Sequence, residues 1–434
     1  MTALPPDSAT PTAESAEAAA PLVSRRNLLA GAVGAVGATL VDNASALLAQ
    51  ARNPLPSPKA LDDAGKILGA VPSELGERSP FERPRRRVSR AAPSGESESP
   101  LEDLYGTITP SDLHFERHHG GVPLIDPARY TLLIHGMVER PLKFTLSDLK
   151  QFPAVSRVCF IECSGNGFRG FRQNAMKREA TPSWIDGLLS TSEWTGVPLA
   201  TLFREAGWKP AATWFLAEGA DAAHMTRSIP VEKALDDAMI AYAQNGEAIR
   251  PEQGYPVRLL LPGWEGNAQV KWLKRIELSA KPFMTREETS KYTDPLANGT
   301  ARMFSFVMDA KSLITFPAYP NTLSKGWCVI TGLAWSGRGK ITRVEVSTDG
   351  GTSWQSAELQ PPVLSKCTTR FRHSWKYVGQ EAVLMSRAID ETGYVQPTRA
   401  ELAAARGDGT FYHMNSIRGW KVERSGKVFF HMEG

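Results

Sequence analysis

The chain has 434 residues, 42% of them apolar and 22% charged, a globular composition with too much apolar material for one ordinary core, so two domains are expected. Its net charge of +4 is small, and much of the basic excess falls between Arg83 and Arg90, outside any periodic pattern, which argues against a nucleic-acid-binding protein. Four cysteines exclude a disulfide framework, although Cys328 and Cys367 are candidates for one bridge, and without a Cys-x-x-Cys-His there is no haem in this chain.

In chain order, a polar start leads to Ser24-Arg25-Arg26-Asn27-Leu28-Leu29, a weakly apolar run to about Leu40, and Ala44-Ser45-Ala46. Residues 1–46 therefore read as a signal peptide of the twin-arginine kind, which exports folded proteins and points to the periplasm. Its apolar run falls short of the ~20 residues of a membrane span. Residues 47–103 read as an extended arm, with Ala91–Pro100 a flexible linker by composition and the basic run a solvated or docking segment.

From 104 to 299 strand and helix patterns alternate, an α+β domain. Tyr130–Gly136 reads as a strand, Leu146–Gln151 as a short helix capped by Thr145 or Ser147, Val158–Cys163 as a buried strand, and Ser228–Tyr242 as a strand turning into a helix. From 300 to 434 short strands dominate until Ala400. Lys340–Gln355 reads as a hairpin turning at Asp349-Gly350, and the region as an immunoglobulin-like β-sandwich.

Four stretches could carry chemistry. In Val158-Cys159-Phe160-Ile161-Glu162-Cys163-Ser164-Gly165-Asn166-Gly167 a strand ends at a cysteine and a tight turn follows. A soft thiolate there can bind a transition metal while the glycines let a bulky cofactor approach. Cys159 reads as a small core residue. Arg117-His118-His119-Gly120-Gly121 suits an oxyanion or phosphate better than zinc, because adjacent histidines do not face one metal. Arg258 and Lys271 flank a Pro-Gly turn, either converging on a phosphate or lying as two surface cations. Tyr292, in the polar run Ser290–Asp294, can donate a hydrogen bond.

In this order the stretches resemble the sulfite oxidase family of molybdopterin enzymes, from about Ile108 to the C-terminus. Arg117-His118-His119 is similar to the family's Arg-Asn-His, and Cys163-Ser-Gly-Asn to its Cys-Ala-Gly-Asn. Gly254-Tyr-Pro-Val-Arg258 with Val270-Lys271-Trp-Leu is similar to its most recognisable block. Leu189–Gly196, Glu218-Gly-Ala-Asp221 and Ala334-Trp-Ser-Gly also fit.

The resemblance implies a sulfite-oxidase-type molybdopterin-binding domain followed by an immunoglobulin-like domain of dimerisation type. Cys163 would be the protein ligand of molybdenum. Arg117, His118, His119, Asp221, Gln253, Arg258, Gln269, Val270 and Lys271 would hold the pterin and its phosphate. Arg117, Trp184 and Tyr292 would line the substrate pocket, closed by an arginine of the second domain, Arg370 or Arg372.

Two departures bear on the substrate. Gly167-Phe168 stand where sulfite-oxidising members carry arginines, leaving Arg169 as the nearest cation, and Gln253 replaces a histidine. The runs Ile108–His119, Thr289–Asp294 and Thr392–Pro397 resemble the molybdenum subunit of the sulfane dehydrogenase branch. That resemblance implies sulfane sulfur on a carrier protein as substrate, a c-type cytochrome as electron acceptor, and a homodimer of this chain within a hetero-oligomer. The alternatives are a periplasmic sulfite dehydrogenase and, from another class, a metal-free binding module of the cell envelope.

Overall fold

The computed structural model describes residues 69, 71–91, 93–172, 177–296 and 298–431. The signal peptide read over 1–46 and the first part of the arm, 47–68, lie outside the described residues. The chain divides into two units, 1–83 and 84–434. Described residues of the first include a turn in which the Glu82 amide donates to the Ser79 carbonyl.

The second unit opens with β1 (Arg87–Arg90), β2 (Glu96–Glu98) and β3 (Glu116–Arg117), hydrogen-bonded in that order. The flexible-linker reading of Ala91–Pro100 is thereby corrected: β2 pairs with both neighbours, and Ser97, Glu98 and Ser99 are buried. Tertiary partners override the composition. Glu98 is paired with Arg87 and Arg169, and the Ser99 amide donates to the Gly187 carbonyl. Part of the basic run is also held down, since Arg86 lies 3.3 Å from Glu116 and 3.4 Å from Glu252.

β4 (Thr131–Gly136) and β5 (Leu142–Thr145) lead to α1 (Leu146–Leu149), which Thr145 and Asp148 close with a capping box. β6 (Val155–Glu162) runs into the turn after Cys163, followed by α2 (Phe168–Phe171), α3 (Pro182–Asp186) and β7 (Leu189–Pro198). α4 (Leu199–Ala206) buries Leu199, Leu202, Phe203 and Ala206, one helical face, and stops at Gly207 with φ 68°. β8 (Trp214–Gly219) precedes β9 (Thr226–Pro230), which hands over to α5 (Val231–Asp236) as the pattern over Ser228–Tyr242 suggests, but the chain returns to strand in β10 (Met239–Gln244).

With β11 (Glu247–Ala248), β12 (Arg258–Leu260) and β13 (Leu273–Ser279) these strands make two sheets. One has the order β11-β10-β7-β6 with β12 on β10; the other is β5-β4-β13-β8-β9, where β13 and β4 run parallel. Leu132, Phe203, Phe215, Ile240, Leu259 and Ile276 belong to one core that joins both sheets, burying their apolar faces together.

α6 (Arg286–Thr289), β14 (Asp294–Pro295) and β15 (Ala301–Arg302) lead to the second domain. Its strands are β16 (Lys311–Phe316), β17 (Gly326–Trp335), β18 (Ile341–Ser347), β19 (Gln355–Ser356), β20 (Glu358–Gln360), β21 (Thr369–Tyr377) and β22 (Ala382–Asp390). After α7 (Arg399–Arg406) come β23 (Arg418–Val422) and β24 (Val428–His431). Sheets β16-β17-β21-β20 and β19-β18-β22-β23-β24 share a core containing Trp335, Phe371, Leu384 and Trp420, the expected sandwich.

Two expectations change here. The turn at Asp349-Gly350 is not a two-residue hairpin: β18 meets β19 only through Glu345↔Ser356 and Val346↔Gln355, and Ser347, Asp349 and Ser353 tie the longer loop with their side chains. Cys328 and Cys367 carry free thiols. Cys328 stands opposite Trp375 and Cys367 lies before Thr369, at the other end of β21, so at ~3.3 Å per residue they are roughly 25 Å apart. Among the described residues no helix is long and apolar enough to cross a membrane.

Candidate active site

Strand β6 delivers Cys163 to its place. The Cys163 amide donates to the Leu188 carbonyl at 3.0 Å, and its own carbonyl accepts from the Asn166 amide at 2.9 Å, closing the turn. Asn166 locks that turn from both ends: Nδ2 donates to Glu162 and to the Asp186 carbonyl, and Oδ1 accepts the Leu188 amide. Gly167 takes φ 87°, and a Cβ there would meet Asp186 Oδ1 at 2.6 Å and Arg418 at 2.8 Å. Only glycine fits without strain.

Cys163 opens on a cavity of about 760 Å³. Burial pushes its thiol up to about 11, while the nearby Arg117 guanidinium and a hydrogen bond from the Gly165 amide favour the thiolate. A thiol so placed is poised for a cationic metal, which would stabilise the charged form. Cys159, by contrast, is buried in an apolar cluster with Trp194 and Leu260, as read from the sequence.

The Arg117-His118-His119 stretch enters from β3. His118 Nδ1 accepts the Gly95 amide and Nε2 lies 3.0 Å from Glu116, so the neutral ring carries its proton on Nε2; burial lowers its pKa. His119 Nε2 is 3.2 Å from the Tyr292 hydroxyl, and burial with the Arg117 charge pulls its pKa to about 4. Tyr292 packs its ring on Tyr412, with the Arg227 guanidinium 5.0 Å from its centre.

On the opposite flank, Arg258 donates to the carbonyls of Gln253 and Gln269, and its Nε is buried with no partner. Lys271 donates to the carbonyls of Arg117 and Glu252. Burial pulls Arg258 to about 9 and, together with the neighbouring Arg258 charge, Lys271 to about 7. Two cations held by backbone carbonyls, one with an orphaned donor, are a ready receptor for a phosphate. Asp221, buried, accepts the Met225 amide; Gln253 donates to the Phe115 carbonyl; Val270 completes the wall.

The cavity thus brings together Cys163, Arg117, His118, His119, Trp184, Asp221, Gln253, Arg258, Gln269, Val270, Lys271 and Tyr292. Arg370 and Arg372 are not among its walls, which corrects their expected place. Arg372 is exposed and reaches back to Glu358, its register partner on β20, at 2.6 Å. Arg370 donates to the Leu104 and Gly106 carbonyls. From the second domain, Phe411 and Tyr412 line the cavity instead.

Sequence reasoning missed Glu96 and Glu98. Arg169, whose guanidinium lies 5.3 Å from the Trp184 ring centre, pairs with Glu98 at 2.5 Å and Glu96 at 2.8 Å. The available signal was the spacing Glu96-Ser97-Glu98, which puts both carboxylates on one face of a strand. Among the described residues no group of three or more His, Cys, Asp or Glu side chains could hold a metal ion by itself.

Comparison with known proteins gives the following. The oxidoreductase molybdopterin binding domain matches residues 119–287, and the Mo-co oxidoreductase dimerisation domain matches 302–419. The crystal structure of the sulfane dehydrogenase SoxCD from Paracoccus pantotrophus is similar at 43% identity and TM-score 0.82, over 88% of this chain and 100% of that one. Nitrate reductases are similar too: that of Hordeum vulgare at 35% identity over 61% of this chain, and that of Solanum lycopersicum at 34% over 70%. The chain spans only 33% and 38% of the length of those two relatives.

Proposed function

Because this chain belongs to the sulfite oxidase family of molybdopterin oxidoreductases, we propose that it oxidises sulfane sulfur bound to a carrier protein and passes the electrons to a c-type cytochrome. The observation that carries this reading is one cavity that joins a turn-mounted thiol, Cys163, to a pair of cations, Arg258 and Lys271, bonded only to carbonyls. The similarity to a sulfane dehydrogenase over the whole of that chain supports the choice of sulfur substrate.

The residues present fit the cofactor. Cys163 would bind the molybdenum; Arg258 and Lys271 would take the pterin's phosphate, with the orphaned Arg258 Nε supplying a donor. His118, His119, Asp221, Gln253, Gln269 and Val270 would hold the ring system. When bound, the molybdenum centre supplies oxygen-atom transfer and accepts two electrons. The chain's own groups orient and exclude. Arg117 lines the cavity with Cys163 and would offset part of the negative charge that develops on sulfur. Tyr292, hydrogen-bonded to His119, holds a proton at its hydroxyl. Trp184 and Phe411 wall the substrate side against water.

Export by the twin-arginine route to the periplasm, and assembly as a homodimer within a hetero-oligomer, complete the proposal. No Cys-x-x-Cys-His occurs in these 434 residues, so the haem of the proposed cytochrome is not held by such a motif within them. Metal analysis of wild type against Cys163→Ser, with assays on carrier-bound sulfane sulfur and on free sulfite, tests it. Molybdenum in wild type and its loss in Cys163→Ser are expected, with turnover of the carrier-bound substrate. Turnover of free sulfite alone would turn the reading into a sulfite dehydrogenase, and full activity in Cys163→Ser would end both.

A further inference from the structure

The cations of the cavity fall into two populations. Arg258 and Lys271 donate to carbonyls and have no carboxylate partner among the described residues. Arg117 and Arg169 also donate to carbonyls, those of His118 and Trp184, but they meet carboxylates as well. Arg169 is bound by both Glu96 and Glu98, and Arg117 Nε lies 3.5 Å from Glu96 Oε2. On the cavity wall two positive charges meet two negative ones, supplied by β2, β3 and α2, while the half-exposed Arg87 of β1 reaches Glu98 from outside the cavity.

These four groups are largely withdrawn from water: the side chains of Glu98, Glu96, Arg169 and Arg117 are 1%, 12%, 18% and 20% exposed. Salt therefore screens them little, and their mutual neutralisation persists under cellular conditions. Glu96, Glu98, Arg117 and Arg169 line the same cavity as Cys163, so the pairs border the reacting position. Arg286 is paired with Glu287, and Arg90 is exposed, like Lys291. A divalent oxyanion placed between Arg117 and Trp184 would have to displace carboxylates that are already there, and like-charge contact opposes its entry. A sulfur end with one negative charge meets about half that opposition, and a neutral one meets none.

Resting on the sulfur-oxidising reading above, we propose that Glu96 and Glu98 set substrate charge: they neutralise Arg117 and Arg169, so that the cavity excludes a free divalent oxyanion. It admits a sulfur terminus carrying at most one negative charge, such as the end of a persulfide.

The test uses the full-length, molybdenum-containing chain. Sulfate is titrated into wild type, Glu96→Gln and Glu96→Asp, read by calorimetry and by tryptophan emission, because Trp184 lies beneath Arg169. Sulfite turnover with an artificial acceptor is measured alongside. Wild type and Glu96→Asp are expected to show no saturable sulfate binding. Glu96→Gln should gain one saturable, salt-sensitive site and a roughly tenfold or greater rise in kcat/KM for sulfite. Saturable sulfate binding by wild type overturns the proposal, as does a molybdenum-loaded Glu96→Gln unchanged in both readouts. Should Glu96→Gln not fold, the wild-type titration still carries the overturning result. Wild type without molybdenum would instead fail the cofactor reading, so the two failures are distinguishable.

Discussion

Trp335 of the sandwich domain donates its indole N–H at 2.7 Å to Glu162, the residue immediately before Cys163. The second domain therefore reaches into the back of the site. Lys311 pairs with the other oxygen of Glu162 at 3.1 Å and with Asp186 at 2.5 Å, all three side chains being at most 1% exposed. Asn166 bonds to the same Glu162 oxygen, so the turn bearing the thiol is anchored by charges of the other domain.

Lys311→Met would leave two buried carboxylates without their ammonium. Breaking a buried ion cluster this way costs about 3–5 kcal/mol, far more than the intact cluster contributes over an apolar replacement. Denaturant unfolding of Lys311→Met should show a loss of that size, together with a lower molybdenum content. A loss below about 1 kcal/mol would mean that the cluster does not support the turn.

Gly167→Ala forces a Cβ into a left-handed backbone position and against Asp186. The expected cost is about 1–3 kcal/mol. Because the strain falls within the Cys163 turn, metal content should drop along with the melting temperature. A variant that melts and loads like wild type would show that the turn has another way to relax.

Lys271 gives a pH dependence. Burial and the adjacent Arg258 lower its pKa to about 7, so in the cofactor-free chain the amine is largely neutral above that pH. A bound phosphate favours the ammonium and raises the pKa again. Pyrophosphate binding to the cofactor-free chain should therefore take up protons above pH about 7 and weaken as pH rises through it. Calorimetry in two buffers of different ionisation heat reads the uptake directly, and Lys271→Met should abolish it. Binding with no proton uptake at pH about 8 would remove Lys271 from the phosphate site.

Arg117→Ala is expected to raise the apparent KM for the sulfur substrate and to slow reduction of the enzyme, each by roughly tenfold or more, because its charge acts at the reacting centre. The released Glu96 carboxylate adds repulsion toward any anionic substrate. Stopped-flow reduction and steady-state turnover separate the two effects. Unchanged constants would place Arg117 outside the reaction.

Much of the fold was legible because it is local. Thr145 with Asp148 is a capping box that needs no tertiary partner, and the alternation in Ile341–Ser347 and the apolar run of β6 follow from side-chain period alone. Most of the candidate site was legible for a different reason: Cys163, Arg258 and Lys271 lie in short blocks whose resemblance to a family carries their meaning. Composition misled at Glu96-Ser97-Glu98, where polar residues in a Ser- and Glu-rich stretch look solvated but are buried against Arg169 and Gly187. It could not place Arg370 and Arg372 either, since the direction of a strand residue depends on the neighbour it finds, here Glu358 and the Leu104 carbonyl.

By itself the sequence determined the family, the two-domain order and the candidate thiol Cys163, because those rest on residue identity at fixed spacing. Tertiary structure alone decided which charges are spent on one another. Carboxylates from β2 meet Arg169 of α2 across 71 and 73 residues of chain, and no local pattern records a pairing made by the folding of distant segments into one low-dielectric cavity.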